Sequence, residues 1–306
     1  MKGFQKKEFV LKWGNHSLNL DNRTYIMGVL NVTPDSFSDG GLYFQKDKAI
    51  EQGLAMAREG ADIIDIGGES TRPYSETVPY DEEMARVIPV IEALSKDIKI
   101  PISIDTCKAK VAVEALRAGA SMINDISALR FDPEMASVAA EAGVPVILMH
   151  MQGTPGDMQK NPAYDNLIPE ILDFLKDAVE RAVKAGIRKD LIIIDPGVGF
   201  GKTFHHNIEI IKELKQFGSL ERPILLGTSR KAFIGHILQN EPDERDTGTM
   251  ATVSAGILNG AHIVRVHDVK RTLETIKVID AIKTGGRDIL YHIPSATKDL
   301  KHASLH

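Results

Sequence analysis

The chain has 306 residues, 43% of them hydrophobic and 26% charged, and a net charge of −5. That is enough apolar material for a sizeable core, and the acidity excludes broad binding to nucleic acid or a membrane surface, since neither attracts an acidic protein. The single cysteine, Cys107, excludes an internal disulfide and a cysteine-rich zinc site, and reads as a packed thiol.

The opening, MKGFQKKEFV, lacks the hydrophobic centre of a signal peptide, and no apolar stretch approaches the ~18 residues of a membrane span, so a cytoplasmic protein with no membrane partner is expected. Residues 1–24 predict a β-hairpin that turns near Gly14-Asn15 and plugs the bottom of a barrel. From Tyr25 one pattern then repeats. The apolar runs YIMGVLN (from 25), DIIDIGG (62), PISIDT (101), SMINDI (121), PVILMH (145), LIIIDPG (191), PILLGTS (223) and HIVRVHD (262) alternate with helical stretches such as EEMARVIPVIEALSK. Several of these stretches end in Gly just before the next strand, as a helix C-cap does. Strands that are nearly all apolar belong to a parallel sheet covered by helices, and eight such units favour closure into one (β/α)₈ TIM barrel over 25–284. The polar tail 285–306 lies outside the repeat, and no linker divides the chain.

The residues that end each strand carry the functional information. In order come Asn31, the loop GGESTRP (67–73), Asp105, Asn124, His150, Asp195, the triplet SRK (229–231), and Arg265 with His267. One Asp after a strand is ordinarily an N-cap, but eight consecutive strands ending in polar groups are not explained by capping. The C-terminal ends of barrel strands converge on the mouth where such folds place their chemistry. Strand alternation puts Ser103 with Asp105, and Arg265 with His267, on one face, read as the lumen. PGVGFGKT (196–203) fails as a phosphate-binding P-loop because Pro196 stands where the first Gly is needed, and it reads as a flexible mouth loop. His205-His206 has no partner at ligand spacing and reads as solvated, while His150 is ambiguous, since a histidine closing an apolar strand is more often a satisfied core residue than a ligand.

Taken together, MGVLNVTPDSFSDGG, DIGGESTRP, ISIDT, INDI, LMHMQGTP, DPGVGFGK, GTSRK and GAHIVRVHDV, spread over roughly residues 24–283, resemble the dihydropteroate synthases, pterin-binding enzymes of folate synthesis. The resemblance implies a (β/α)₈ barrel, usually homodimeric. It also implies that 7,8-dihydropterin-6-ylmethyl diphosphate is joined to 4-aminobenzoate with release of diphosphate, helped by Mg²⁺.

The resemblance also implies residue roles. A reduced pterin presents adjacent N–H donors and a ring carbonyl. Asp195 is expected to accept the paired donors, Asn124 and Asp105 to meet other ring positions, and Lys231 to face the carbonyl side. Arg265 and His267 fall where barrels hold phosphate, and Asn31 offers an amide oxygen to Mg²⁺ and belongs to the diphosphate set. Asp105 is the expected stabiliser of a dissociating pterin-methyl cation, and no protein nucleophile is required. The two long loops, TPDSFSDGG and STRPYSE, are expected to close over the diphosphate and exclude water. In them Phe37 and Pro73 would flank the aminobenzoate ring, Thr71 and Arg72 would serve the diphosphate, and Asp35 and Arg72 join Asp105 and Lys231 in the catalytic set. Arg230, Lys231 and Ala232 complete the aminobenzoate site. Ala232 departs from the family pattern, in which Ser is usual, and a weaker hold on aminobenzoate is expected. The rival readings are a pterin-binding methyltransferase, which would have no use for a lid around diphosphate, and a non-catalytic pterin-binding paralogue.

Overall fold

The computed structural model describes residues 9–33, 42–70, 75 and 77–286, with the backbone alone for 42–45. Strands β1 (Val10–Trp13) and β2 (His16–Asn19) form the N-terminal hairpin, with Trp13 opposite His16 and Gly14 at φ +46°, a turn position that favours glycine. Leu11, Trp13, Leu18 and Leu20 are buried. The hairpin is held by residues just ahead of later strands: the Tyr25 hydroxyl accepts from Asn19 N (3.2 Å), Arg188 Nη1 donates to Lys12 O (3.3 Å), and Phe9 lies edge-on to His262. It therefore lies at the N-terminal end of the strands.

Eight parallel strands come next: β3 (Tyr25–Asn31), β4 (Ile63–Gly67), β5 (Ile102–Asp105), β6 (Met122–Asp125), β7 (Val146–Met149), β8 (Ile192–Asp195), β9 (Leu225–Leu226) and β10 (Ile263–Val266). Their order is β8-β7-β6-β5-β4-β3-β10-β9, and a parallel bridge between Ile194 and Ile224 joins the two ends into a barrel. Each strand of the sequence reading is present. The seventh is only two residues long, lying between Pro223 and Gly227.

Helices cover the outside: α1 (Leu42–Glu59), α2 (Tyr80–Asp97), α3 (Ala109–Ala118), α4 (Met135–Ala142), α5 (Leu167–Lys184), α6 (Phe204–Lys212), α7 (Ala232–Leu238), α8 (Asp246–Leu258) and α9 (Val269–Thr284). On α5 the buried residues Leu167, Ile168, Ile171, Leu175, Ala178, Val179 and Ala182 recur at three and four, which is the stripe that docks a helix on a sheet. Gly119 and Gly143 end α3 and α4 in the left-handed region, where each backbone N–H reaches back to the last turn. Among the described residues no helix is long and apolar enough to cross a membrane.

Register decides which side chains face inward. Near the C-terminal ends Asn31 stands opposite Gly67, Gly67 opposite Asp105, and Asp105 opposite Asn124. One step lower, Val29 stands opposite Asp65, Asp65 opposite Ser103, and Ser103 opposite Met122. Because side chains alternate along a strand, both rows point into the lumen.

Candidate active site

Three acids, an amide, an arginine and a lysine meet at the upper end of this lumen. Arg265, on β10, donates from Nε to Asp65 Oδ2 (2.6 Å) and from Nη2 to Asp105 Oδ2 (2.7 Å). Asn124 Nδ2 donates to the same Asp65 oxygen at 2.9 Å. Asp195 accepts from Gly197 N at 2.7 Å, and Lys231 feels the charges of Arg265, Asp195 and Asp105. Asp105, Asn124, Asp195, Lys231 and Arg265, which the sequence reading placed in one cavity, are thus brought together.

Burial sets their acidity. It raises Asp105 to about 7, against the pull of Arg265, while the negative charges of Asp65, Glu83 and Asp125 add to the rise. Burial raises Asp195 to about 6, opposed by the Gly197 N–H, Lys231, Lys202 and Arg265. Lys231 falls to about 8, again through burial, with Arg265 adding to the fall and the two acids opposing it. With few protein donors on these acids and an ammonium over the Phe200 ring at 4.1 Å, the site is under-paired, as a site awaiting a polar ligand is.

The turn after β8 supports this floor. It is the stretch 196–203, expected to be a flexible loop, and the structure corrects that reading. Gly199 N donates to Asn207 Oδ1 (2.6 Å), Gln159 Nε2 to Gly199 O (2.9 Å) and the Tyr164 hydroxyl to Gly201 O (2.7 Å). Lys202 is buried and donates to Phe200 O (2.9 Å), with its Nζ 2.9 Å from His150 Nδ1. Burial lowers Lys202 to about 7, and burial with the nearby Lys202 charge lowers His150 to about 2, so the imidazole is neutral. The backbone passes so close to β7 that a Cβ on Gly197 would lie 1.9 Å from His150 O, and that position admits no side chain. Phe200, held in this way, joins Ile126, Met149, Met151 and Met158 in an apolar cluster at the mouth.

Other expected residues take distinct places. His267 Nδ1 lies 2.9 Å from Ser229 Oγ, which joins the turns after β9 and β10. Arg230 has left-handed backbone (φ +58°), and its guanidinium forms a forked pair with Asp246 of α8 at 3.0 and 3.2 Å. Asn31 is half-buried at the end of β3, and Ala232 is exposed at the start of α7. His206 is not simply solvated: with Thr203 it caps α6. Asp35, Phe37, Thr71, Arg72 and Pro73 lie outside the described residues, as does the tail from 287.

The stem of the loop after β4 is described. Glu69 accepts from Val78 N (2.9 Å) and from Lys108 Nζ (2.6 Å), and Lys108 also reaches the buried Glu83 at 2.5 Å. Asp125 similarly shapes the turn after β6 by accepting from Ser127 N (2.8 Å) and Leu129 N (2.9 Å), while Ala128 and Leu129 adopt left-handed backbone. The sequence reading missed Asp65, Lys202 and Asp125. Asp65 alone had a usable signal, an acid flanked by Ile64 and Ile66 inside an otherwise apolar strand.

Among the described residues no three His, Cys, Asp or Glu side chains gather as a metal cage. The half-buried Asn31 amide oxygen is a donor of the kind a hard cation takes.

Comparison with known proteins agrees with this geometry. A family model described as pterin binding enzyme matches residues 27–267. The dihydropteroate synthase of Bacillus subtilis (strain 168) is 52% identical over 270 residues, covering 88% of this chain and 92% of the relative. The Yersinia pestis dihydropteroate synthase, solved with a sulfonamide drug, superposes with a TM-score of 0.86 at 44% identity, covering 90% of this chain and 99% of that one. The Xanthomonas albilineans dihydropteroate synthase, solved with 4-aminobenzoic acid, gives a TM-score of 0.85 at 44% identity and the same coverage. The chain belongs to the pterin-binding enzyme family, among its dihydropteroate synthases.

Proposed function

We propose that the mouth condenses 7,8-dihydropterin-6-ylmethyl diphosphate with 4-aminobenzoate, giving 7,8-dihydropteroate and diphosphate for folate synthesis. One observation carries the reading of the residues: Asp105, Asn124, Asp195, Lys231 and Arg265 meet in one lumen with hydrogen-bonding capacity to spare. Two buried acids match the N–H edge of the aminopyrimidine ring, and a lysine matches its carbonyl. Asp195 binds the paired donors, Asp105 and Asn124 meet other ring positions, and Lys231 donates to the carbonyl side. The apolar cluster around Phe200 and Met149 offers flat contact to the ring.

The C–O bond to diphosphate breaks first, and its electron pair leaves with the diphosphate. The electron-rich pterin spreads the resulting positive charge, and Asp105 stabilises it electrostatically. The aminobenzoate nitrogen then attacks the methylene carbon, forming the C–N bond, and its proton passes to the released diphosphate. Arg265 and His267, with Ser229 beside it, hold the departing diphosphate. Mg²⁺, held by Asn31, substrate oxygens and water, would neutralise charge on the leaving group. From the loops, Asp35 and Arg72 complete the catalytic set, Thr71 and Arg72 serve the diphosphate, and Phe37 and Pro73 flank the aminobenzoate ring, with Arg230, Lys231 and Ala232 at that site's edge. We further propose a cytoplasmic homodimer that covers the exposed Ile237, Leu238, Leu258, Val278 and Ile282 of α7, α8 and α9.

The test is diphosphate release with both substrates and Mg²⁺. Turnover that requires aminobenzoate is expected, whereas pterin binding without turnover would assign the chain to a non-catalytic role. Because Asp195 must be ionised to accept the ring donors, the KM for the pterin diphosphate should rise as pH falls through about 6.

A further inference from the structure

The middle of β4 holds a carboxylate that has no role in the condensation itself. Asp65 is wholly buried between Ile64 and Ile66. Its Oδ1 has no hydrogen-bond partner, and neither has Ser103 Oγ, its neighbour in register. Its hydrogen bonds run through Oδ2, to Arg265 Nε at 2.6 Å and Asn124 Nδ2 at 2.9 Å. A half-satisfied acid at such depth contributes little to the fold, because a well-packed apolar residue would avoid the desolvation of its charge. Both of its partners are groups that face the ligand.

We propose that Asp65 is a positioning residue for the condensation, anchoring Arg265 through Nε and fixing the amide of Asn124, so that both present their remaining polar atoms to the pterin diphosphate. The inference rests on the condensation being the reaction of this site. With Nδ2 committed to Asp65, Asn124 turns its carbonyl oxygen toward a ligand rich in N–H groups. The reverse amide orientation would oppose donor to donor. For Arg265, the Nε bond is the fixed one and the Nη2 bond to Asp105 is the exchangeable one. An arriving diphosphate draws the terminal nitrogens away from Asp105 while Asp65 keeps the guanidinium in place. Asp105 is thereby released from its neutralising partner at the stage when a cation forms beside it.

The test is steady-state diphosphate release by the wild type, Asp65→Asn and Asp65→Ser, with folding checked by thermal melting. Asp65→Asn keeps the shape and loses the charge. It should raise the KM for pterin diphosphate by ~10-fold or more, the scale of a lost charged hydrogen bond, and leave the KM for aminobenzoate within ~2-fold. The acid limb of kcat/KM should also move to lower pH. Asp105 is faced by Arg265 from β10, Lys231 from the turn after β9, Asp65 from β4, Glu83 from α2 and Asp125 from β6, and removing one of these negative charges eases its ionisation. Should Asp65→Asn not fold, Asp65→Ser decides the matter. It removes the carboxylate that anchors Arg265 Nε and Asn124 Nδ2, and should show a pterin KM raised by at least ~10-fold. A wild-type pterin KM in either folded variant, or an equal rise in both KM values for Asp65→Asn, overturns the inference. An inactive wild type overturns the proposed reaction and this inference together, whereas an active wild type with an unaltered Asp65→Asn overturns this inference alone.

Discussion

The two ends of the barrel use buried acids in opposite ways. At the N-terminal end Asp280 accepts from Thr24 N and Thr24 Oγ1, both at 2.8 Å. Nearby, Asp62 is paired with Arg23 and also accepts from Ile26 N at 2.8 Å. Each of these carboxylates ties the start of β3 to another element, and each oxygen of Asp280 has a donor. At the C-terminal end Asp105, Asp195 and Asp65 share one arginine, one amide and one backbone N–H through a subset of their oxygens. Asp280, with a donor on each oxygen, ties elements together, whereas Asp105 and Asp195 keep oxygens that can still take donors. The difference is the physical content of the division between a stabilising bottom and a reactive top in such barrels.

The strongest way to break this comparison is to exchange the outcomes at its two ends. Asp195→Ala should cut kcat/KM by at least ~10²-fold, since about 3 kcal/mol of charged hydrogen bonding to the pterin is lost, while the melting temperature changes little. Asp280→Ala should do the reverse. It leaves Thr24 with two buried donors unmet and should cost about 2–5 kcal/mol of stability in denaturant unfolding, with kcat/KM of the folded fraction unchanged.

A smaller effect sharpens the comparison through pH. Burial raises Asp105 to about 7 and Asp195 to about 6 from the ordinary 3.8, so between these values the folded protein holds protons that the unfolded chain has released. The ligand-free wild type should therefore lose stability as pH rises from about 4 through 7, and the double variant Asp105→Asn/Asp195→Asn should lack that fall in a series of thermal melts. Lys202 has the opposite sign. Its lowered value, about 7 against 10.5, means that the fold gives up its proton first, so its contribution worsens as pH falls from about 10.5 to about 7 and stays at its least favourable below that. Lys202→Met should gain stability relative to wild type most clearly at pH 6 and least at pH 10. A difference that does not vary with pH would show that Lys202 does not titrate in its buried position.

The smallest expected effect lies at Ala232, exposed at the edge of the mouth. Ala232→Ser adds one hydroxyl and should lower the KM for aminobenzoate by a few-fold, ~5-fold for a single neutral hydrogen bond, leaving the pterin KM untouched. An unchanged aminobenzoate KM would remove this residue from the second substrate's site.

The eight strands were legible because a strand buried on both faces is written as an unbroken apolar run, and the helices because their apolar residues recur at three and four. Only the length of β9 was not, since its run PILLGTS begins in proline and ends in small polar residues that leave two paired positions. The site was legible where its residues end strands, as Asp105, Asn124 and Asp195 do. Asp65 escaped a search of strand ends because it stands two residues before the end of β4, although the alternation that put Ser103 in the lumen applies to it equally. The contact of Lys202 with His150 was missed for a different reason. It spans 52 residues, and no local pattern announces that a lysine after a glycine-rich turn will be buried against the preceding strand's end. Arg230, placed by sequence beside Lys231, turns to Asp246 because a left-handed backbone at that one position reverses its direction.

The ring of strands has one thin place. Between β8 and β9 the closure rests on the Ile194–Ile224 bridge and the bond from Ile194 N to Pro223 O, so deuterium should enter the wall of the barrel there sooner than between β3 and β4. Asp195 stands on one lip of this seam and Lys231 lies just beyond the other. A pterin gripped by both would act as a clasp across it, and substrate would slow amide exchange most at the joint where the protein's own backbone bonding is sparsest.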